Sequence, residues 1–177
     1  MSPSDDPIAA DAERLVEEWR AACRIPSVSG EREPIEEMAA WVEQGVARRF
    51  DRVVVERTPD GVPIVLGELR GAGPGRLIVY SHYDVVPAGD PAAWDSDPFA
   101  AELRGGAVYA RGTCDDKADV TARLQAIDLW LDANDGAPPV TLLWVCEGAE
   151  EVGSPGLAAE SGVSAGRSTT CVWAGFR

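Results

Sequence analysis

From residue 11 to residue 23 apolar side chains recur every three or four positions, at Ala12, Leu15, Val16, Trp19, Ala22 and Cys23, which lays them along one face of a helix. Arg24-Ile25-Pro26-Ser27-Val28-Ser29-Gly30 breaks that pattern. A second helix is expected to begin near Pro34, a residue suited to a first turn, with Ile35, Met38, Val42, Val46 and Phe50 on one side. Both helices have the pattern of covers for a sheet. The period then shortens: residues 53–55 and 62–69 read as strands joined by a turn at Thr58-Pro59-Asp60-Gly61. After a second turn, Gly71-Ala72-Gly73-Pro74-Gly75, the chain runs through Leu77-Ile78-Val79-Tyr80 into Ser81-His82-Tyr83-Asp84. So continuous an apolar run predicts a strand buried on both faces.

Residues 85–103 form a long connection rich in Pro, Asp and aromatics, in which Trp94 and Phe99 are expected to be packing anchors. Residues 103–111, with Gly105-Gly106 inside, predict a tight hairpin. A helix follows Asp116, with Val120, Leu124, Ile127 and Leu131 in its stripe, and stops at Asn134-Asp135-Gly136. Residues 140–146 predict another buried strand, 153–157 the opening of a short helix, and 169–173 one more strand. The fold class is therefore α/β, a mixed and largely parallel sheet covered by helices.

Composition narrows the function. The chain has 177 residues, enough for one domain, and 45% of them are hydrophobic, as in a globular protein. Sixteen basic residues against 30 acidic ones give a net charge of −14, which excludes the basic footprint of a nucleic-acid binder. The first residues lack the basic start and apolar stretch of a secretory leader, and no apolar run reaches membrane-spanning length. Cysteines 23, 114, 146 and 171 are without close paired spacing, so free thiols and a cytoplasmic location are expected.

The candidate chemistry gathers at strand ends, where α/β proteins place it. His82 is the only histidine, and in an extended strand Asp84 points to the same side. A carboxylate there can hold one imidazole nitrogen's proton and free the other for a metal. Asp115 and Asp116 precede a helix, where Asp116 reads as a cap rather than a ligand and, from position alone, so does Asp115. Glu150 and Glu151 follow a buried strand and could be an ordinary charged loop. One histidine with carboxylates so placed suits a divalent metal, or two.

Four blocks resemble the M20 metallopeptidase family: Ser81-His82-Tyr83-Asp84-Val85-Val86-Pro87; Trp94 with Asp97-Pro98-Phe99; Tyr109-Ala110-Arg111-Gly112-Thr113-Cys114-Asp115-Asp116-Lys117; and Glu147-Gly148-Ala149-Glu150-Glu151-Val152-Gly153-Ser154. Pro26-Ser27-Val28-Ser29 followed by a helix also resembles the family's opening. The resemblance implies a zinc-peptidase-like catalytic domain in which His82 binds one zinc, Asp115 bridges two and Glu151 binds the second, with other divalent metals admitted. Asp84 would orient His82 and Glu150 would be the general base. It implies hydrolysis of a dipeptide or N-acyl amino acid and a homodimer in the full-length form, while the charge and the lack of a long apolar run lead to the expectation of no nucleic-acid or membrane partner.

The family pattern also has an acidic ligand after the next strand and a second histidine far downstream, whereas this sequence has one histidine and no acidic residue after Glu160. Residues 1–177 are therefore expected to be a truncated, partial catalytic domain, without the lid or dimerisation domain and the carboxyl-terminal part, and with impaired activity. Two other readings are a non-catalytic metal-binding or partner-binding fragment and a hydrolase using Cys114 with His82.

Overall fold

The computed structural model describes residues 7–134 and 136–157. Helix α1 (Pro7–Arg24) and helix α2 (Arg32–Ala47) precede strands β1 (Arg52–Arg57), β2 (Pro63–Leu69) and β3 (Arg76–His82). A hairpin of β4 (Glu102–Arg104) and β5 (Ala107–Tyr109), helix α3 (Lys117–Ala133) and strand β6 (Thr141–Glu147) follow. Helical backbone resumes at Pro155, and the strand expected over residues 169–173 lies outside the described residues.

The main sheet has the order β1-β2-β6-β3. It is mixed, as expected, although among the described residues two of its three pairings are antiparallel and only β3 with β6 is parallel. That one parallel pairing matters most, because it sets His82 beside Glu147 at the carboxyl ends of two strands.

The helices cover one face of the sheet. Met38, Val42 and Val46 of α2, and Val120 and Leu124 of α3, pack with Val65, Trp144 and Cys146 in the main core. Close approach of α2 depends on Gly67, where an added Cβ would lie 2.6 Å from Val46 Cγ1 and 2.9 Å from Phe50 Cδ1. Buried Arg49 joins the three helices, reaching Asp128 of α3, the Gly45 carbonyl of α2 and Glu18 of α1. The opposite face carries a smaller cluster of Ile64, Leu66 and Val145 with Val54 and Leu157.

β3 is not buried on both faces: Leu77, Ile78 and Tyr80 are 53%, 42% and 40% exposed, because β3 is an edge strand among the described residues. Burial returns at Ser81 and His82, where the chemistry begins. α1 also starts before the apolar period does, at Pro7. No helix among the described residues is long and apolar enough to cross a membrane.

Candidate metal centre

The chain leaves β3 still extended. Tyr83 N–H donates to the Glu147 carbonyl at 2.8 Å, and Val85 pairs with residues 27–29 through Val85 N–H to Ser27 O (2.9 Å) and Ser29 N–H to Val85 O (3.0 Å). Two-residue alternation therefore persists, and His82 and Asp84 share a side as expected. Asp84 is fully buried. Its carboxylate lies 3.3 Å from His82 Nδ1, accepts the Ser29 hydroxyl at 2.6 Å, and accepts the backbone N–H groups of Glu150 and Glu151, both at 3.2 Å. Burial opposes ionisation of Asp84, but the bonds from His82, Ser29 and Glu151 outweigh it and hold its pKa below the usual range. With Nδ1 facing this carboxylate, Nε2 is the nitrogen left for a metal.

Nε2 lies 3.0 Å from Asp115 Oδ1 and 3.9 Å from Glu150 Oε2. Asp115 stands in the turn before α3, which two contacts fasten to α1. Trp19 Nε1 donates to the Thr113 carbonyl at 3.2 Å, and the buried Lys117 ammonium donates to the carbonyls of Ala22 and Ile25. Those carbonyls lie at the end of α1, where the helix dipole favours a cation. The Asp115–Asp116 peptide is cis. Asp116 occupies the N-cap position of α3, yet its side chain makes no cap bond; it accepts His82 N–H at 3.2 Å. The expected cap role is thus replaced by a tertiary contact with the strand end.

Glu150 and Glu151 sit in a 3₁₀ turn immediately beyond β6. Gly148 opens it against the Tyr83 ring, whose atoms would lie 2.5 Å from any added Cβ. Ligand atoms of His82, Asp115 and Glu151 all lie within 4.8 Å of one another. Burial, and then the nearby Asp115 charge, raise the Glu151 pKa; burial is the main cause for Asp116 as well. Burial works against protonation of His82, but Asp84, Asp116 and Asp115 together push its pKa up to about 9. These shifts mark a cradle of negative charge around one imidazole. Its nitrogen and carboxylate donors suit a divalent ion that would relieve the repulsion.

The structure therefore brings together all five residues expected at the site. Cys114 is exposed and His82 turns its nitrogens to Asp84 and Asp115, so no Cys–His pair forms. Sequence reasoning missed Ser29, whose role was hidden in the Pro-Ser-Val-Ser segment, and the anchoring by Lys117. Trp94 does anchor its loop, donating from Nε1 to the Ala88 carbonyl at 3.0 Å.

Residues 78–171 match the family model described as peptidase family M20/M25/M40. A cysteinylglycine-S-conjugate dipeptidase of Corynebacterium striatum is 35% identical over 119 residues, covering 67% of this chain and 26% of that protein. A succinyl-diaminopimelate desuccinylase of Afipia carboxidovorans is 41% identical over 81 residues, covering 46% of this chain and 21% of the relative. Among solved structures, an M20 family metallo-carboxypeptidase from Sulfolobus solfataricus superposes with a TM-score of 0.73 at 33% identity, covering 84% of this chain and 33% of that one. The chain thus spans a third or less of the length of each.

Proposed function

This chain belongs to peptidase family M20/M25/M40, and we propose that it forms part of the catalytic domain of a metal-dependent hydrolase that cleaves a peptide or N-acyl amide bond. The observation that carries this reading is the approach of His82, Asp115 and Glu151 within 4.8 Å, with His82 held by a fully buried Asp84. The donor set fits zinc. His82 would hold one ion, Asp115 would bridge to a second, and Glu151 would bind that second ion.

A bound divalent metal supplies Lewis-acid polarisation of the scissile carbonyl and acidifies water at neutral pH. The protein does the rest. Asp84 fixes the histidine ring and orders the 150–151 turn through two backbone N–H groups. Glu150, its side chain 43% exposed and 3.9 Å from the histidine, faces the site with a carboxylate free to take the proton of the attacking water. It returns that proton to the leaving nitrogen, so the products are a carboxylate and an amine. Relatives named as a dipeptidase and a desuccinylase support a dipeptide or an N-acyl amino acid as substrate.

Calorimetric titration of zinc into chelator-stripped protein tests the centre. One or two ions should bind to the wild type and none to His82→Ala; equal binding by both would remove it. Divided between two ions, His82, Asp115 and Glu151 leave each short of the about three protein donors that a catalytic zinc usually keeps. Turnover by this chain alone should therefore be low. Brisk hydrolysis abolished in Glu150→Gln would contradict that.

A second reading, a segment that pairs with another chain, is favoured by the exposed apolar side chains of β3. Sedimentation distinguishes the two: a monomer at all concentrations counts against pairing, and self-association lost in Ile78→Lys supports it.

A further inference from the structure

The turn bearing Glu150 and Glu151 is held from two sides, and Asp84 accounts for only one. On the other side stands Glu147, the last residue of β6 and 2% exposed. Its Oε1 accepts two hydroxyls, from Tyr80 of β3 at 2.6 Å and from Ser154 at 2.7 Å. Ser154 closes the turn: its N–H donates to the Ala149 carbonyl at 2.9 Å, next to a Gly153 N–H to Glu150 carbonyl bond of 2.8 Å. Ser154 does so at φ 49°, a left-handed conformation that costs energy outside glycine and persists where neighbours over-determine it. The bond to Glu147 is such a constraint. Burial and the bond to Glu147 push the Tyr80 phenol upward, which keeps it a donor.

A buried carboxylate is tolerated when hydrogen bonds satisfy it, and here both donors converge on one oxygen. Glu147 also lies in register with His82 across the parallel pair, so the strand ends that place the histidine also place this carboxylate. We propose that Glu147 is a positioning residue that acts through Ser154, clasping the turn so that Glu151 is presented to the ion and Glu150 to the attacking water. The proposal rests on the metal-hydrolase reading, but the clasp itself exists in the metal-free protein.

Ser154→Ala and Tyr80→Phe each leave Glu147 one donor and are milder than removing the buried carboxylate. Amide hydrogen exchange of the metal-free variants should accelerate at residues 149–154 by about tenfold or more, with β2 and α3 unchanged. Zinc affinity should fall at least about tenfold, within the range for groups that orient metal ligands. A purely structural role would not make that loss depend on Glu151. The loss should therefore vanish when each substitution is made in a Glu151→Gln background. Unchanged exchange in the turn, or losses that add to that of Glu151→Gln, would overturn the clasp. If Glu151→Gln alone leaves zinc affinity intact, the metal assignment of Glu151 fails, and the exchange comparison then decides the clasp by itself.

Discussion

Asp84 is buried with four groups directed at its carboxylate, and one atom of chemistry there separates a good partner from a bad one. In Asp84→Asn the amide nitrogen can only donate, so it must face at least one N–H or hydroxyl that also donates. Urea denaturation should show a loss of about 1–3 kcal/mol, and calorimetry a 10–100-fold loss of zinc affinity. Stability and affinity both equal to wild type would mean that the carboxylate is not what orders the site. Thiols offer a second test. Cys114 is exposed, whereas burial pushes the Cys23 thiol up to about 11 and Cys146 well above its ordinary value. Access to the reagent differs in the same sense, so iodoacetamide should modify Cys114 while Cys23 and Cys146 stay protected until the fold opens. Peptide mass spectrometry would read the order, and Cys23 reacting first would refute this burial. His82 and Asp84 were legible as partners because a strand's alternation is written in the sequence. Ser29 and Glu147 were not, because Ser29 meets Asp84 across 55 positions and Glu147 meets Tyr80 across 67, although its other partner, Ser154, is only 7 away.

Helices α2 and α3 follow their apolar periods closely, since a single covered face is a local property of the sequence. Strand burial is not local. The run from Leu77 to Tyr80 would look the same in a central strand or an edge strand, and only the tertiary arrangement decides that, among the described residues, Leu77, Ile78 and Tyr80 are exposed while Val79 packs on the core. Asp116 teaches the same lesson at a helix end: its position predicts a cap, but a neighbouring strand's N–H claims the side chain. Where α2 meets the sheet the requirement is purely steric. Gly67→Ala places a methyl within 2.6 Å of Val46 and 2.9 Å of Phe50, so overpacking should lower stability by about 1–3 kcal/mol. Thermal melting would register it, and an unchanged midpoint would mean that α2 can retreat without loss.

The molecule as a whole carries a net charge of −14, and part of that repulsion is concentrated where His82, Asp115 and Glu151 converge. A ligand that binds only the folded form stabilises it by about 2.7 kcal/mol at a hundredfold excess over its Kd. Zinc should therefore raise the melting midpoint of the wild type in a saturable way and leave His82→Ala where it was. A rise of equal size in both proteins would signify binding to surface carboxylates in general. The donors responsible come from three separate stretches. Asp84 and Glu150, which bond to each other, are separated by 66 positions, with a hairpin and α3 in between. A loop of that length must close before Glu151 can join His82 and Asp115, and contacts between distant segments form slowly. Metal capture after dilution from denaturant should then trail the appearance of helix. An ion-sensitive signal would time the moment at which β3 finds β6.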